Sequence, residues 1–301
     1  MRRVFRDPAL QQAYDPTGYA TVPMLSPAEV KAILDELALL RPDDNFSPVH
    51  HQGKGFTYHC SFIDSNRAYR RQVHSLITRF FAPHIERCLQ GFRILNGNFY
   101  VKPPHSGEFV VHQNWPAIDD IDDTTVTVWC PLVDVVRKNG ALQVVAGSHK
   151  LLPHVETLNT PAYFKDFVPA LIDKYLQPVP MKAGEAIVFD DGLIHWSANN
   201  DSDLPRIAIQ ILCIPVDSRP AYWMFDPAHP ERFELIEADT EFFLTNDMKH
   251  LRERQADWKT LGFAPNRNRT ITEAEFAALL KDGDRIRREL AARWSPKSRH
   301  G

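Results

Sequence analysis

Two hydrophobic patterns divide the chain, and the first of them is helical. Up to about residue 91, apolar positions recur at the three- and four-residue spacing of an amphipathic helix. Ser26 to Glu29 forms a capping-box sequence with proline at the first helical position, which predicts a helix ending near Leu40. A second helical pattern covers 66–90 and is expected to be interrupted near Pro83. Before residue 26 we predict irregular structure, apart from an extended piece at Tyr19–Val22.

The second pattern begins at Phe92, where short β-rich segments alternate with turn residues. Most of these segments have no helix between them, which favours antiparallel strands over βαβ units. Residues 152–180 form a long insertion that is expected to be partly helical and to lie over a site. The predicted strands are Gly97–Lys102, Phe109–Asn114, Thr124–Cys130, Ala141–Val145, Glu185–Phe189, Leu193–Ser197 and Arg206–Pro215.

After Arg219 the chain becomes mixed and more charged. Thr272 opens another capping box, which predicts a helix through Leu280. The stretch Asp284–Arg299 is basic and amphipathic, as is typical of a solvated surface helix. We therefore predict a single domain over 1–301. It consists of a helical lead-in (1–91), a β core that carries the insertion (92–218) and a C-terminal extension (219–301).

Composition excludes several classes of protein without naming one. Apolar residues make up 44% of the 301 positions, and 35 basic against 38 acidic residues give a net charge of −3. This balance argues against a nucleic-acid partner, and no apolar run is long enough to cross a membrane. The N-terminus lacks the apolar region of a secretory signal. Four widely separated cysteines predict a cytoplasmic protein with reduced, mostly buried thiols.

The candidate chemistry lies among the histidines, of which the chain has 13. His112 and Asn114 alternate along a predicted strand, so their side chains share a face, as metal ligands at i and i+2 would. His195 lies 83 positions after His112, and Arg206 follows 11 positions later. A His-x-carboxylate pair plus a distant histidine is the ligand set of non-haem Fe(II) oxygenases. An arginine suits a carboxylate cosubstrate, because guanidinium forms two parallel hydrogen bonds with a carboxylate.

Taken singly, each of these signals is weak, but their order along the chain is specific. The motifs in question are Lys102-Pro103-Pro104, His112-Gln113-Asn114-Trp115, Trp129, Asn139-Gly140-Ala141-Leu142, Gly147-Ser148-His149-Lys150, Gly184-Glu185, His195-Trp196-Ser197 and Arg206. From about Asn98 to Pro215 the chain thereby resembles the phytanoyl-CoA dioxygenase family of Fe(II)/2-oxoglutarate oxygenases. The resemblance implies a mostly β protein with flanking helices and a double-stranded β-helix (jelly-roll, cupin-like) core.

The resemblance also implies cofactors, a reaction and roles for individual residues. Fe(II), 2-oxoglutarate and O2 would hydroxylate a C–H bond of a small molecule and release succinate and CO2. His112 and His195 match the imidazole ligands of the metal, with Asn114 at the third ligand position. Arg206 matches the partner of the distal carboxylate of 2-oxoglutarate, which Ser197 is expected to assist. The other expected contacts are Asn98 and Trp129 with the cosubstrate, Lys54 or Tyr58 from the lead-in, and Tyr100 and Trp115 in the substrate pocket.

Position 114 departs from the family's His-x-Asp pattern, because asparagine is neutral where aspartate would carry a charge. Hard Fe(II) prefers carboxylate oxygen, so metal affinity should fall. Three alternatives stay open. Asn114 ligates through its amide oxygen; the site is impaired and binds a small acid or a metal without turnover; or Asp119 or Asp120 substitutes as the ligand. Halogenation is not favoured, because related halogenases have a very small residue at this position, which asparagine is not.

Substrate choice is expected to depend on two segments, the loop 41–58 and the insertion 152–180, acting as lids. The expected partner is a small-molecule substrate, with neither nucleic acid nor membrane, and the oligomeric state is left open. The competing class is a jelly-roll module that binds a small acid without catalysis. A succinate assay combined with metal analysis separates the two classes.

Overall fold

In the computed structural model the backbone is described at 2–40, 50–51, 54–55, 57–248 and 250–294, and the side chains at 2–40, 57–248 and 250–283. The helices are α1 (Pro8–Thr17), α2 (Pro27–Leu37), α3 (Arg67–Cys88), α4 (Val168–Ala170), α5 (Thr240–Thr245) and α6 (Glu273–Trp294). The strands are β1 (Tyr19–Pro23), β2 (His50–His51), β3 (Lys54–Gly55), β4 (His59–Cys60), β5 (Phe92–Lys102), β6 (Phe109–His112), β7 (Val126–Pro131), β8 (Gln143–Val144), β9 (Gln177–Pro178), β10 (Glu185–Asp190), β11 (His195–Ser197), β12 (Arg206–Pro215), β13 (Ala221–Phe225), β14 (Arg232–Glu237) and β15 (Thr260–Pro265).

Two antiparallel sheets form the core of the fold. The major sheet has the strand order β1-β10-β7-β12-β5-β4, and the minor sheet has the order β6-β11-β8-β9. Side chains of both sheets meet in one apolar cluster, for example Trp129 and Phe189 from the major sheet and Val144 from the minor sheet. The jelly-roll core and the mostly β fold class are thereby confirmed. A third sheet, β13-β14-β15, occupies the C-terminal extension.

Strand alternation gives the major sheet two different faces. On β12, Ile209, Ile211 and Cys213 point to an apolar cluster shared with α1, α2 and α3. The alternate residues Arg206 and Gln210 point the other way, into a cavity beside the minor sheet. Successive side chains of a strand point to opposite faces, so a single strand both anchors the helices and supplies polar groups to the interior.

The start of the lead-in forms the helix α1, whereas irregular structure was predicted there. Asp7 caps α1 by accepting a hydrogen bond from the Ala9 N–H at 2.8 Å, and Gly18 ends the helix with a φ of 80°. The aspartate-proline start and the glycine stop are both sequence signals of helix ends. The next residues, Tyr19–Pro23, pair with β10 in the major sheet, so the lead-in contributes a strand to the β core.

α3 continues through Pro83, contrary to the interruption expected there. An interior proline removes one helical hydrogen bond and costs about 3 kcal/mol. The helix nevertheless buries Val73, Ile77 and Phe81 in the apolar cluster on the outer face of the major sheet. Most helical stability in proteins comes from such packing, which here outweighs the local cost of proline.

The cysteines, the character of the helices and the length of α6 can each be compared with the expectations from the sequence. None of the four cysteines, which all lie in the described part of the chain, is in a disulfide, and Cys60, Cys130 and Cys213 are buried, as predicted. None of the helices in the described part of the chain combines the length and the apolar character needed to cross a bilayer. α6 extends beyond the predicted end at Leu280 to Trp294, and the side chains of the basic stretch from 284 onward lie outside the described residues.

Replacing Ser26 by alanine is expected to lower the free energy of unfolding by about 1 kcal/mol. The Ser26 hydroxyl accepts from the Glu29 N–H at 3.3 Å, and Glu29 accepts from the Ser26 N–H at 2.7 Å. The backbone hydrogen bond from Ser26 and the bond from its hydroxyl are the largest causes that lower the pKa of Glu29 to about 2. Alanine keeps the backbone N–H, so only the bond from the hydroxyl to the Glu29 carboxylate makes the loss pH-dependent. That part should be complete above about pH 4.5 and fade as the pH falls toward 2.

Urea unfolding followed by circular dichroism at pH 7 and at pH 3 measures this contribution. Ser75, exposed within α3, is the matched control, because Ser75→Ala removes a serine hydroxyl without removing a cap. Equal losses of stability from Ser26→Ala and Ser75→Ala would contradict the capping role.

Candidate active site

Two histidines come together through strand pairing in the minor sheet. β6 and β11 are antiparallel neighbours, and His112 lies directly opposite His195 in their register. The centroids of the two imidazole rings are 4.0 Å apart. Residues separated by 83 positions therefore form one polar cluster inside the jelly roll.

Hydrogen bonds fix which nitrogen of each ring is available to a ligand. The Nδ1 atom of His112 is 2.8 Å from the Val110 carbonyl oxygen, and Nδ1 of His195 is 2.8 Å from that of Leu193. Since a carbonyl oxygen only accepts, each Nδ1 carries a hydrogen and each Nε2 keeps its lone pair. Burial lowers the pKa of His112 to about 4 and that of His195 well below its usual value. Neutral imidazoles with free Nε2 atoms are the form that binds a metal ion.

Asn114 lies just after β6 and contributes to the same cavity as His112. Its amide nitrogen donates to Thr127 Oγ1 at 2.8 Å and to Asp191 Oδ1 at 3.0 Å. The amide oxygen is therefore the end of the side chain that is available to a metal ion. β6 stops at His112 rather than at Asn114 as predicted, because the Asn114 N–H bonds to the Asp191 carbonyl in the connection before β11.

Among the described residues, no substitute carboxylate lies beside the two histidines. Within the described part of the chain, no group of three or more His, Cys, Asp or Glu residues is placed to hold a metal ion. Asp119 and Asp120 line other cavities, which contain neither His112 nor His195. The alternative in which Asp119 or Asp120 replaces the missing ligand is therefore wrong for the described residues.

A small cavity of about 40 Å³, called here the small cavity, joins the two histidines to Arg206. Arg206 is only 3% exposed, and its Nε and Nη1 atoms have no hydrogen-bond partner in the described structure. Its guanidinium carbon lies 5.2 Å from the ring centroid of Trp129, which also lines this cavity. Burial lowers the pKa of Arg206 to about 9. Buried donors of this kind normally have partners, so the small cavity is suited to an anionic ligand with acceptor oxygens.

Lys102 is a second buried basic residue that lines the small cavity, and it was not among the expected site residues. It pairs with Arg206 in the register of β5 and β12. Its Nζ donates to the Ser197 carbonyl at 2.7 Å, the Ser197 hydroxyl at 2.8 Å and the Ala198 carbonyl at 2.6 Å. Burial, with a further contribution from Arg206, lowers the pKa of Lys102 to about 5. The three oxygen acceptors oppose this effect, since only the charged ammonium has three donors for them.

A second cavity of about 170 Å³, called here the large cavity, is also lined by His112. Its floor comes from the paired strands β5 and β12, where Asn98 lies opposite Gln210 and Asn96 opposite Leu212. The Tyr100 hydroxyl donates to Gln210 Oε1 at 2.5 Å. Aromatic and apolar side chains form most of the remaining wall, namely Tyr58, Cys60, Phe62, Ile63, Phe109, Trp115, Leu212, Phe243 and Met248.

Most of the chain matches a known protein family. Residues 14–208, well over half of the chain, match the family model described as phytanoyl-CoA dioxygenase (PhyH). The chain belongs to the phytanoyl-CoA dioxygenase family. A curated relative, phytanoyl-CoA dioxygenase 1 of Oryza sativa subsp. japonica, is 28% identical over 120 residues. That alignment covers 39% of this chain and 43% of the rice protein, so the chain spans less than half of its relative's length.

Solved structures share the fold of this family member at low sequence identity. The carbocyclase SnoK from nogalamycin biosynthesis has a TM-score of 0.53 at 18% identity, covering 71% of this chain and 86% of its own. The epimerase SnoN from the same biosynthesis has a TM-score of 0.51 at 23% identity, covering 72% and 86%. Iron-bound HygX from Streptomyces hygroscopicus has a TM-score of 0.50 at 16% identity, covering 70% and 87%.

Most site residues expected from the family resemblance lie along the two cavities. His195, Arg206, Trp129 and Ser197 line the small cavity, and His112 lines both. Tyr100 also lines both, whereas Trp115 lines only the large cavity. Asn98 lines the large cavity and not the small one, so its contact with the cosubstrate stays a prediction. Gln210, which was not among the expected site residues, also lines both cavities. The two-residue period of a strand, counted from Arg206, places Gln210 on the same face and could have identified it.

The lid expectation fails for the insertion. No residue of 152–180 lines the small or the large cavity. Its apolar side chains, including Phe164 and Leu171, pack with Val111 and Ile194 of the minor sheet and with Phe276 of α6. The insertion reaches the site indirectly through Glu156, which accepts from the Gln113 N–H at 3.0 Å.

The second expected lid, the loop 41–58, lies largely outside the described residues, as does the side chain of Lys54. Tyr58 is described, and it lines both cavities. Its contact with the cosubstrate stays a prediction.

Proposed function

We propose that this protein is an Fe(II)- and 2-oxoglutarate-dependent dioxygenase that hydroxylates a C–H bond of a small molecule. Family membership supports the oxygenase class. The observation that carries the proposal is the small cavity, where two imidazoles share one space with a buried guanidinium whose Nε and Nη1 atoms have no partner among the described residues. In this proposal His112, His195 and the amide oxygen of Asn114 hold the iron. A cytoplasmic location stays a prediction, supported by four cysteines that form no disulfide.

The residues present suit a dicarboxylate beside the metal. Arg206 would bind the distal carboxylate through its free N–H groups, while Trp129 holds the guanidinium by stacking. Lys102 positions Ser197, whose hydroxyl accepts from the ammonium and donates to the Gly140 carbonyl at 2.9 Å. The buried guanidinium of Arg206, whose lowered pKa still lies at about 9, makes an anionic ligand electrostatically favourable there.

Bound Fe(II) would supply the oxidation by O2 of 2-oxoglutarate and of the substrate C–H bond, with succinate and CO2 as the other products. The contribution of the chain is orientation and exclusion of water. Phe109 and Phe189 pack against the imidazoles of His112 and His195, with ring centroids 4.6 and 4.8 Å apart. Such packing restricts both the ring positions and the access of solvent.

We further propose that the substrate is uncharged and largely apolar, with one hydrogen-bond donor. Among the described residues that line the large cavity, none is Asp, Glu, Lys or Arg. Asn96 is 4% exposed, and its Oδ1 atom has no partner in the described structure. A hydroxyl or N–H group of the substrate would satisfy this acceptor, whereas a charged group would lose its hydration without compensation. Trp115 and Tyr100 would contact the apolar part of the substrate.

Purified protein supplied with Fe(II), ascorbate and O2 is expected to convert 2-oxoglutarate to succinate slowly, and faster when a substrate is present. A panel of matched pairs, each an apolar alcohol and the corresponding carboxylic acid, tests the substrate class by its effect on succinate formation. Mass spectrometry of the product then distinguishes hydroxylation, which adds one oxygen atom, from other oxidations. Faster turnover with the acid of each pair would contradict an uncharged substrate. No succinate above an iron-free control would favour the alternative of an impaired, binding-only protein.

A further inference from the structure

The side chain of Asn114 belongs to a closed hydrogen-bond network with Thr127 and Asp191. The amide nitrogen of Asn114 donates to both, at 2.8 Å to Thr127 Oγ1 and at 3.0 Å to Asp191 Oδ1. The Thr127 hydroxyl in turn donates to the same Asp191 oxygen at 2.7 Å. A rotation of the amide by half a turn would set its oxygen against the Asp191 carboxylate, so the network fixes the direction of the amide.

Asp191 is buried to an extent that requires compensation for its charge. It is 3% exposed, and within the described part of the chain it forms no ion pair with Lys, Arg or His. A buried carboxylate without a cation is costly, so such groups are normally paired or bind a metal ion. The iron proposed at Asn114 would lie beside a residue that donates a hydrogen bond to Asp191.

We propose that Asp191 is a positioning residue for the metal, directing the amide oxygen of Asn114 toward it and supplying the negative charge that position 114 lacks. The inference depends on the proposed function, because it requires the metal to lie at His112, His195 and Asn114. A carboxylate that accepts from an amide N–H makes the amide oxygen a stronger ligand, as second-shell carboxylates do for metal-bound histidines. Asp191 would thereby supply, through its hydrogen bond with Asn114, the negative charge that an aspartate at position 114 would carry.

The hydrogen bond between Asn114 and Asp191 predicts how Asn114→Asp should affect metal binding. The substituted carboxylate would place an oxygen where the Asn114 nitrogen now lies, 3.0 Å from Asp191 Oδ1. Two buried carboxylates at that distance repel each other, and neither has a hydrogen for the contact. Asn114→Asp by itself should therefore bind metal less well than the double exchange Asn114→Asp with Asp191→Asn, which keeps one charge and one amide.

Anaerobic calorimetry with Co(II), an oxygen-stable stand-in for Fe(II), tests the inference without any turnover. Asp191→Asn is expected to weaken Co(II) binding by roughly 10- to 100-fold, the usual effect of losing a second-shell partner. The double exchange is expected to bind at least as tightly as the wild type, and more tightly than Asn114→Asp. Asp190→Asn is the matched control, because Asp190 is equally buried yet bonds to Gly192 and Tyr14 instead of Asn114.

Comparison of Asp191→Asn with His195→Ala distinguishes the role of Asp191 from the existence of the metal site. Unchanged Co(II) affinity in Asp191→Asn, with affinity lost in His195→Ala, would overturn the role of Asp191 and leave the metal site intact. Unchanged affinity in His195→Ala would instead overturn the metal site. Thermal midpoints of the metal-free proteins verify folding. Should Asp191→Asn fail to fold, a double exchange that binds no more tightly than Asn114→Asp overturns the proposal.

Discussion

Replacing His195 by alanine should abolish succinate formation and weaken Co(II) binding on the order of 100-fold or more. Loss of a residue that merely orients a ligand costs about 10- to 100-fold in metal affinity, so loss of a ligand should cost at least as much. His195 supplies one of the two free Nε2 atoms in the small cavity. The measurements are anaerobic calorimetry with Co(II), and succinate production from 2-oxoglutarate in the presence of Fe(II) and O2.

His59→Ala is the matched control for this variant. His59 is also a fully buried strand histidine, but its Nε2 bonds to the Tyr69 hydroxyl at 2.9 Å and it lines neither cavity. We expect His59→Ala to lower the thermal midpoint and to leave the Co(II) affinity within about twofold. Succinate production by folded His195→Ala at the wild-type rate would remove His195 from the metal site.

Replacing Arg206 by alanine should raise the 2-oxoglutarate concentration needed for half-maximal turnover by roughly 30-fold to several thousand-fold. Truncating one partner of a buried, hydrogen-bonded charge pair costs about 2–5 kcal/mol, and each 1.4 kcal/mol is about tenfold in affinity. The Co(II) affinity should stay nearly constant, because Arg206 lies beside the histidines without holding the metal. Arg206→Lys keeps the charge but loses the two-pronged geometry, so it should give an intermediate effect.

Arg232→Ala is a suitable control for the loss of a stacked arginine. Arg232 lies 4.3 Å from the ring centroid of Phe263, yet it lines neither the small nor the large cavity. Added 2-oxoglutarate should raise the thermal midpoint of the wild type and of Arg232→Ala, but not that of Arg206→Ala. An unchanged requirement for 2-oxoglutarate in Arg206→Ala would show that another group binds the distal carboxylate.

Asn114 is neutral, whereas the family pattern has a carboxylate at this position. The sequence shows a departure from His-x-Asp and predicts weaker metal binding. The structure adds the hydrogen bond to Asp191, a residue 77 positions away that no local pattern connects to position 114. A carboxylate therefore lies next to the position where the family pattern has one. Whether the charge acts through the amide is what the double exchange with Asp191→Asn measures.

The parts of the fold that could be predicted are those with strong local signals. Arg206–Pro215 was predicted with its observed bounds, because polar and proline-containing loops flank a long apolar alternation. α2 began where its capping box begins. α1 was missed although Asp7, Pro8 and Gly18 mark its ends, and α3 was expected to break at Pro83. Its continuity depends on packing against the major sheet, which the local sequence does not show.

By itself, the sequence predicted candidate side chains for the site and determined their order along the chain. His112, Asn114, His195 and Arg206 could be selected by residue type and spacing, because their chemistry is a property of single side chains. Only the tertiary structure decided which of them meet. Strand register set His112 opposite His195 and paired Lys102 with Arg206, and the connection between β10 and β11 brought Asp191 to Asn114. Register follows from the burial of whole sheet faces, so no local stretch of sequence specifies it.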